Sequence, residues 1–407
     1  MRRALYVSPV VPRRRGVGLA QRAYRLIEAL SHRHRVSLLT TGEAPSGAAL
    51  DEARALCADV VILPRRRWSA GVAARRALRR WWPARYYGFY RQPSDWPVLS
   101  RADQRRLAAT RCVRFDVIFV HRLYMLPLIR HIAMPAGAPV YLDFDDVEST
   151  TRDRLAALAR LNGDRRIAYL MRRDAAAYGE IERRELATFE RIFVCSEADR
   201  VRLLDGNRAR RVDVLPNVVD VPEQASGARR LSDGPFVFLF VGSPGYYPNR
   251  DAIAFWCRDV VPLIRRRVSR PFQIRVVGER RPEWQRSIPG IAELSWAAVV
   301  DDIAGEYDRA DAVIVPVRAG GGTRIKVLEA FAHRRPVVST TVGVEGLAVE
   351  HGEHALIADT AEELAARAVS LMDDAALGAR LAAGALSLVQ RAYTPVVLRK
   401  CLDDALR

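Results

Sequence analysis

The ten residues GGGTRIKVLE at 320–329 bring together the side chains best suited to chemistry in this 407-residue chain. Gly320, Gly321 and Gly322 form a turn whose main chain a ligand can approach closely. Thr323 is a helix-capping residue type. The first turn of the helix that follows would present amide groups and a positive dipole end, a seat for phosphate. Arg324 and Lys326 add two cations to that turn. Glu329, one turn deeper, can accept hydrogen bonds from sugar hydroxyls. Glycines alone would fit an ordinary strand-to-helix turn with solvated charges. Joined to a capping threonine, two cations and a carboxylate, they favour a phosphate-and-sugar site.

Other candidates stand at the ends of apolar runs. His121 closes DVIFVH, and ligands of open parallel sheets gather at the carboxyl ends of strands. A lone histidine is as readily structural. Asp143, Asp145 and Asp146 close YLDFDD, where they could cap a helix or touch a ligand. Gly16 and Gly18 in GVG join a first strand to a first helix, and an ordinary turn is the competing reading.

The elements that must position these residues are legible as alternation. ALYVSPV, VSLLTT, VVILP, DVIFVH, PVYLDF and RIFVCS are near-continuous apolar runs, as buried parallel strands require. In the intervening GVGLAQRAYRLIEALSHRH, Leu19, Ala23, Leu26, Ile27 and Leu30 fall at helical spacing, with Arg22, Arg25 and Glu28 expected outward. After DVLPNVVD a polar, aperiodic stretch reads as a linker over 219–234. The alternation then resumes with FVFLFVG, a helix from Asp251 to about Arg267, QIRVVG, AVIVPV, a helix from Arg324, and PVVSTT. The expected fold class is α/β: two Rossmann-like parallel-sheet domains in series, 1–218 and 235–391.

Composition narrows the setting. Apolar residues make up 49% and charged residues 28%, a globular profile. No apolar run reaches the ~18–20 residues that cross a bilayer. The N-terminus lacks a cleavage site, and five scattered cysteines show neither disulfide nor zinc spacing, so a reducing cytoplasmic setting is expected. The net charge is +18, almost all of it arginine, with lysine only at 326 and 400. Residues 1–100 hold 19 arginines against six acidic groups. Segment 65–92 has nine arginines and seven aromatics, a composition suited to docking at an anionic membrane surface. Packing of those aromatics on the first domain and binding of RNA by stacking are the alternatives.

GGGTRIKVLEAFAHRRPVVST resembles the donor-binding stretch of the family 4 glycosyltransferases, which have the GT-B fold. FVGSPGYYPNRDAI, VVGE and YDRADAVIVP match in order before it, as do VCSEAD and LPNVVD further upstream and VGVEGL after it. The resemblance covers nearly the whole chain and is specific over 235–350. It implies a retaining glycosyltransferase that needs no metal or other cofactor. A nucleotide-diphosphate-sugar would sit on the C-terminal domain and a glycan or lipid-linked acceptor on the N-terminal one. It further implies that the helix at 392–407 packs back on the first domain. Cell-envelope glycan synthesis at the inner membrane face would follow.

By position, Glu329 matches the second of the family's two motif glutamates and would bind the donor ribose. The first falls at Gly321, so this chain lacks that carboxylate. Arg324 and Lys326 would hold the diphosphate, with Gly242 and Ser243 of VGSPGYYPN approaching it from the other side. His121 would face the transferred sugar; Gly16 and Gly18 would reach into the cleft toward donor phosphate or acceptor, and Asp145 would lie toward the acceptor or the cleft. The D-F-D of 143–145 superficially resembles the metal-binding pair of GT-A transferases, but the donor motifs belong to the metal-independent fold. A dinucleotide-dependent oxidoreductase is disfavoured, because GVGLAQ lacks the third glycine and no acid ends the next strand. A basic nucleic-acid-binding protein and a donor-binding but inactive transferase, suggested by Gly321, are the remaining readings. Nucleotide, sugar and acceptor identity are not legible.

Overall fold

The computed structural model describes residues 2–42, 47–64, 77–78, 81–82, 93, 96–97, 99, 101–109, 114–132, 138–205, 211–223, 234–279, 288–297, 300 and 303–407. Most of segment 65–92 and of the expected linker therefore lies outside the described residues. The chain forms two compact units, Met1–Pro216 together with Leu398–Arg407, and Asn217–Val397.

In the first unit the strands are β1 (Arg2–Ser8), β2 (His34–Gly42), β3 (Asp59–Pro64), β4 (Val117–His121), β5 (Val140–Asp145), β6 (Arg191–Val194) and β7 (Val212–Val214). They pair in parallel in the order β3-β2-β1-β4-β5-β6-β7, so the order reverses between β1 and β4. Register sets Tyr6 beside Phe119 and Phe119 beside Tyr141. Their rings, with Phe193, lie 5.2–6.5 Å apart across the sheet. The helix Gly18–Ser31 covers one face through Ala23, Leu26, Ile27 and Leu30. Arg22 and Arg25 of this helix, expected to face outward, are buried. The reason for Arg22 is tertiary: a buried carboxylate on β5 awaits it. The last helix, Pro395–Ala405, ties to the end of the first one, with Arg33 Nε 3.0 Å from Asp403 Oδ1.

The second unit holds β8 (Phe236–Val241), β9 (Phe272–Val277), β10 (Leu294–Ala297), β11 (Ala312–Val315), β12 (Val337–Ser339) and β13 (Leu356–Ile357). All pairings are parallel, in the order β10-β9-β8-β11-β12-β13, with the reversal between β8 and β11. Phe236, Phe238, Phe240, Trp256 and Phe331 are nearly or fully buried in its core. β7, β10 and β13 were not expected from sequence; each has two to four residues, too short to show a period.

The helix expected from Asp251 begins instead at Tyr247, with Pro248 in its first turn. It widens to a π-turn at Trp256–Val260 before the helix Val261–Arg265. Pro262 has no N–H for the carbonyl four residues earlier, and the wider turn accommodates that loss.

The apolar stretch Ala375–Ala405 is long enough by composition to cross a bilayer. It is broken near Tyr393 into two helices, and Leu381, Ala385, Leu388 and Val389 of the first are core residues.

Candidate functional site

In the second unit the residues of interest gather where the strand order reverses. β8 ends at Val241 and leads into Gly242, at φ +151°. A Cβ there would stand 2.7 Å from Asn249 Nδ2 and 2.8 Å from Lys326 Nζ. The close approach explains the glycine. β11 leads to Gly320, at φ +143°, where a Cβ would meet Arg324 Nη2 at 2.8 Å. Gly321 is not among the positive-φ glycines, so its backbone places no demand for glycine.

Arg324 stands at the N-cap position of the helix Ile325–Ala332, without a side-chain cap bond. Thr323, expected to cap this helix, instead pairs with a residue 106 positions upstream: Asn217 Nδ2 donates to its Oγ1 at 2.8 Å. The helix starts one residue too late for Thr323 to serve. Arg324 folds back over its own turn, Nη1 donating to the carbonyls of Gly321 and Gly322. Its Nε and Nη2 are buried and have no hydrogen-bond partner among the described residues. These donors are left available to an anion.

Lys326 Nζ donates to Asn249 Oδ1 at 2.9 Å and lies 4.3 Å above the Phe240 ring. Asn249 Nδ2 donates in turn to the Ser243 carbonyl at 3.0 Å, so one amide links the β8 turn to the lysine. Burial and then the Arg324 guanidinium push the Lys326 amine down to about 7, with Glu329 acting in the opposite direction. Glu329 Oε2 accepts from the Tyr307 hydroxyl at 3.1 Å. The first turn of an α-helix, two cations, two glycines at positive φ and a carboxylate thus meet at one switch point, an arrangement suited to a diphosphate and a neighbouring hydroxylated ring.

The first unit carries a second polar group, also at its strand reversal. Ser8 ends β1 and His121 ends β4. His121 is fully buried, with Nδ1 3.4 Å from Ser8 Oγ and Nε2 3.6 Å from Asp143 Oδ2. Ser8 Oγ donates to the Val10 carbonyl at 2.8 Å, which leaves it to accept from an Nδ1–H tautomer. Burial pulls the imidazole down to about 3, so it is neutral at ordinary pH. Arg22 forks onto Asp143, Nη2 to Oδ1 at 2.6 Å and Nε to both oxygens at 3.1 Å. Its Nη1 donates to the Leu215 carbonyl at 3.1 Å.

The β5 ladder slips between Asp143 and Asp145, and Asp145 adopts φ +61°. Arg122, itself at φ +75°, pairs with Asp145 at 3.2 Å, with Asp146, and with Glu148 at 2.6 Å. The three aspartates are thus bound to arginines. Gly16 sits at φ +123°, its carbonyl accepting from Gln21 Nε2 at 2.7 Å, and Gly18 opens the first helix. Sequence reading did not single out Arg22, Arg122, Asn217 or Tyr307 as site residues. Their partners stand 22 or more positions away in the chain, beyond any local pattern.

Comparison with known proteins agrees with this fold. Over essentially the full length of both chains, the fold is similar to that of HepE from Anabaena, crystallised with UDP and glucose (TM-score 0.66, 14% identity, 100% of this chain and 99% of that one). It is as similar to sucrose-phosphate synthase from Thermosynechococcus elongatus (TM-score 0.66, 15% identity, 100% and 98%). WaaG, a glycosyltransferase involved in lipopolysaccharide biosynthesis, matches at TM-score 0.54 and 13% identity, over 98% and 99% of the two chains. No curated protein matches by sequence. The fold is GT-B, two parallel α/β units in series. A family model described as "Glycosyl transferase 4-like domain" matches residues 17–218, and one described as "Glycosyl transferases group 1" matches 235–374. The chain belongs to the family 4-type glycosyltransferases.

Proposed function

We propose that this glycosyltransferase moves a sugar from a nucleoside diphosphate sugar to a hydroxyl of a glycan or lipid-linked acceptor in cell-envelope polysaccharide synthesis. Transfer proceeds with retention and without a metal, at the inner face of the cytoplasmic membrane. The observation that carries the donor assignment is the convergence of Arg324 beside Gly320, with two buried donors that have no partner among the described residues, and the Lys326 amine beside Gly242. In this reading those groups hold the diphosphate and Glu329 takes the ribose hydroxyls. HepE was crystallised in complex with UDP, which makes UDP the first nucleotide to test.

The bond from the anomeric carbon to the diphosphate breaks with its electron pair on the phosphate oxygen. Arg324, Lys326 and the helix amides oppose the charge that grows there, favouring the transition state over the ground state. The acceptor oxygen attacks from the same face and its proton passes to the departing phosphate. Neutral His121 at the end of β4, with Asp145 at the end of the adjacent β5, serves the sugar and acceptor side, and Gly16 and Gly18 let the main chain of their loop approach a ligand. Metal independence is supported by the arginine partners of Asp143, Asp145 and Asp146, which occupy the carboxylates a cation would need.

Thermal-shift measurements with UDP, GDP and ADP test the reading. At a ligand concentration about 100 times Kd, binding to the folded state alone adds ~2.7 kcal/mol. One nucleotide should raise Tm, and Arg324→Ala and Lys326→Ala should abolish the rise. A response unchanged in both variants removes these residues from the donor site. The missing carboxylate at Gly321 favours a second reading, a chain that binds donor without turnover. Nucleotide release measured with a range of acceptors separates the two.

A further inference from the structure

Tyr307, on the helix Ala304–Arg309, is fully buried. Its hydroxyl lies 3.1 Å from Glu329 Oε2 and 3.5 Å from the carbonyl oxygen of Lys326. Its ring stacks on His333 with centroids 4.8 Å apart and planes 11° from parallel. All three partners belong to the helix Ile325–Ala332 or its C-cap, at positions spaced to share one face. A phenol has one proton to give. The shorter distance and the negative charge both send it to the carboxylate.

Glu329 needs such a partner. On a helix surface a glutamate samples several rotamers, and ordering it costs entropy. A buried tyrosine wedged against the same helix fixes one carboxylate oxygen before any ligand arrives. Burial, and then the Glu329 charge, raise the Tyr307 phenol well above its ordinary value, so the proton stays on the donor throughout the working range.

We infer that Tyr307 is a positioning residue for donor recognition: it orients Glu329 so that the carboxylate meets the hydroxyls of the nucleotide's ribose. The inference rests on the reading of Glu329 as the ribose-binding group.

The substitution Tyr307→Phe removes only the hydroxyl and keeps the ring that stacks on His333. Loss of one hydrogen bond that acts through Glu329 should weaken nucleoside diphosphate binding by about three- to tenfold. KM for the donor should rise by the same factor, with kcat changed less than twofold. Inorganic pyrophosphate, which has no ribose, should bind both proteins equally. The 2′,3′-dideoxy nucleotide should lose sensitivity to the substitution. Equal weakening of pyrophosphate, or undiminished sensitivity with the dideoxy ligand, would mark a general packing role and overturn the inference. Glu329→Gln distinguishes the two levels. If Glu329→Gln weakens nucleotide binding and Tyr307→Phe does not, the positioning role fails while the ribose site stands. If neither changes it, the ribose site itself is wrong.

Discussion

Lys326 decides how the second unit meets an anion, because its amine is held near neutrality. A bound diphosphate stabilises the charged amine and raises its pKa above the free value of about 7. Nucleotide affinity should therefore be flat below pH 7 and weaken as pH rises, by up to about tenfold per unit, until the bound pKa is passed. Calorimetry at pH 8 in buffers of different ionisation enthalpy should show proton uptake on binding. Uptake that persists in Lys326→Met would assign the proton to another group. The ligand-free fold has the opposite dependence. Its lysine pKa lies below the unfolded value of 10.5, so between about pH 7 and 10.5 the unfolded chain holds more protons and the cost of burying this group is relieved as pH rises. Turnover should fall at least tenfold in Arg324→Ala and in Lys326→Ala, the loss expected when a cation opposing leaving-group charge is removed. Gly320→Ala should cost ~1–2 kcal/mol from its positive φ alone, with Arg324 displaced as well. Gly321→Ala should be nearly neutral, and a urea titration compares the two directly.

Between elements, the buried bond of Arg22 to Asp143 fastens the helix Gly18–Ser31 to β5. It also places a carboxylate edge 3.6 Å from His121. Breaking such a pair from one side leaves an uncompensated buried charge and costs about 3–5 kcal/mol. Arg22→Met should lower Tm markedly. Arg22→Met combined with Asp143→Leu should recover much of that loss, since an apolar pair leaves no buried ion. A double variant as unstable as the single one would show that the pair is needed for more than charge balance. The same arginine also reaches the Leu215 carbonyl, so it joins the first helix, β5 and the chain after β7. Three elements distant in sequence depend on one guanidinium.

At the scale of the molecule, the net charge of +18 raises the local concentration of anionic ligands and surfaces and makes such binding salt-dependent. Vesicles carrying anionic lipid should sediment the protein at low salt and release it at high salt, with the arginine- and aromatic-rich segment 65–92 as the docking element. Equal, negligible binding to anionic and neutral vesicles would end that proposal. Activity in excess EDTA should match activity without it. A loss restored by Mg²⁺ would overturn the metal-independent reading.

The sequence by itself determined the α/β alternation, because buried parallel strands must be apolar throughout and helices must alternate faces every three to four residues. It also determined the cluster at 320–329, where glycines, cations and a carboxylate are neighbours along the chain. Local rules misplaced Arg22, whose helical position looks solvated until Asp143, 121 residues away, is brought against it. They misassigned Thr323 as a cap, because the helix start was settled by where β11 and the glycine turn leave the chain, and Asn217 claimed the hydroxyl. The links from Asn249 to Lys326 and from Tyr307 to Glu329 were decided by tertiary structure alone. Periodicity and propensity act over a few residues, whereas these contacts exist only once parallel strands have brought distant loops to the same edge.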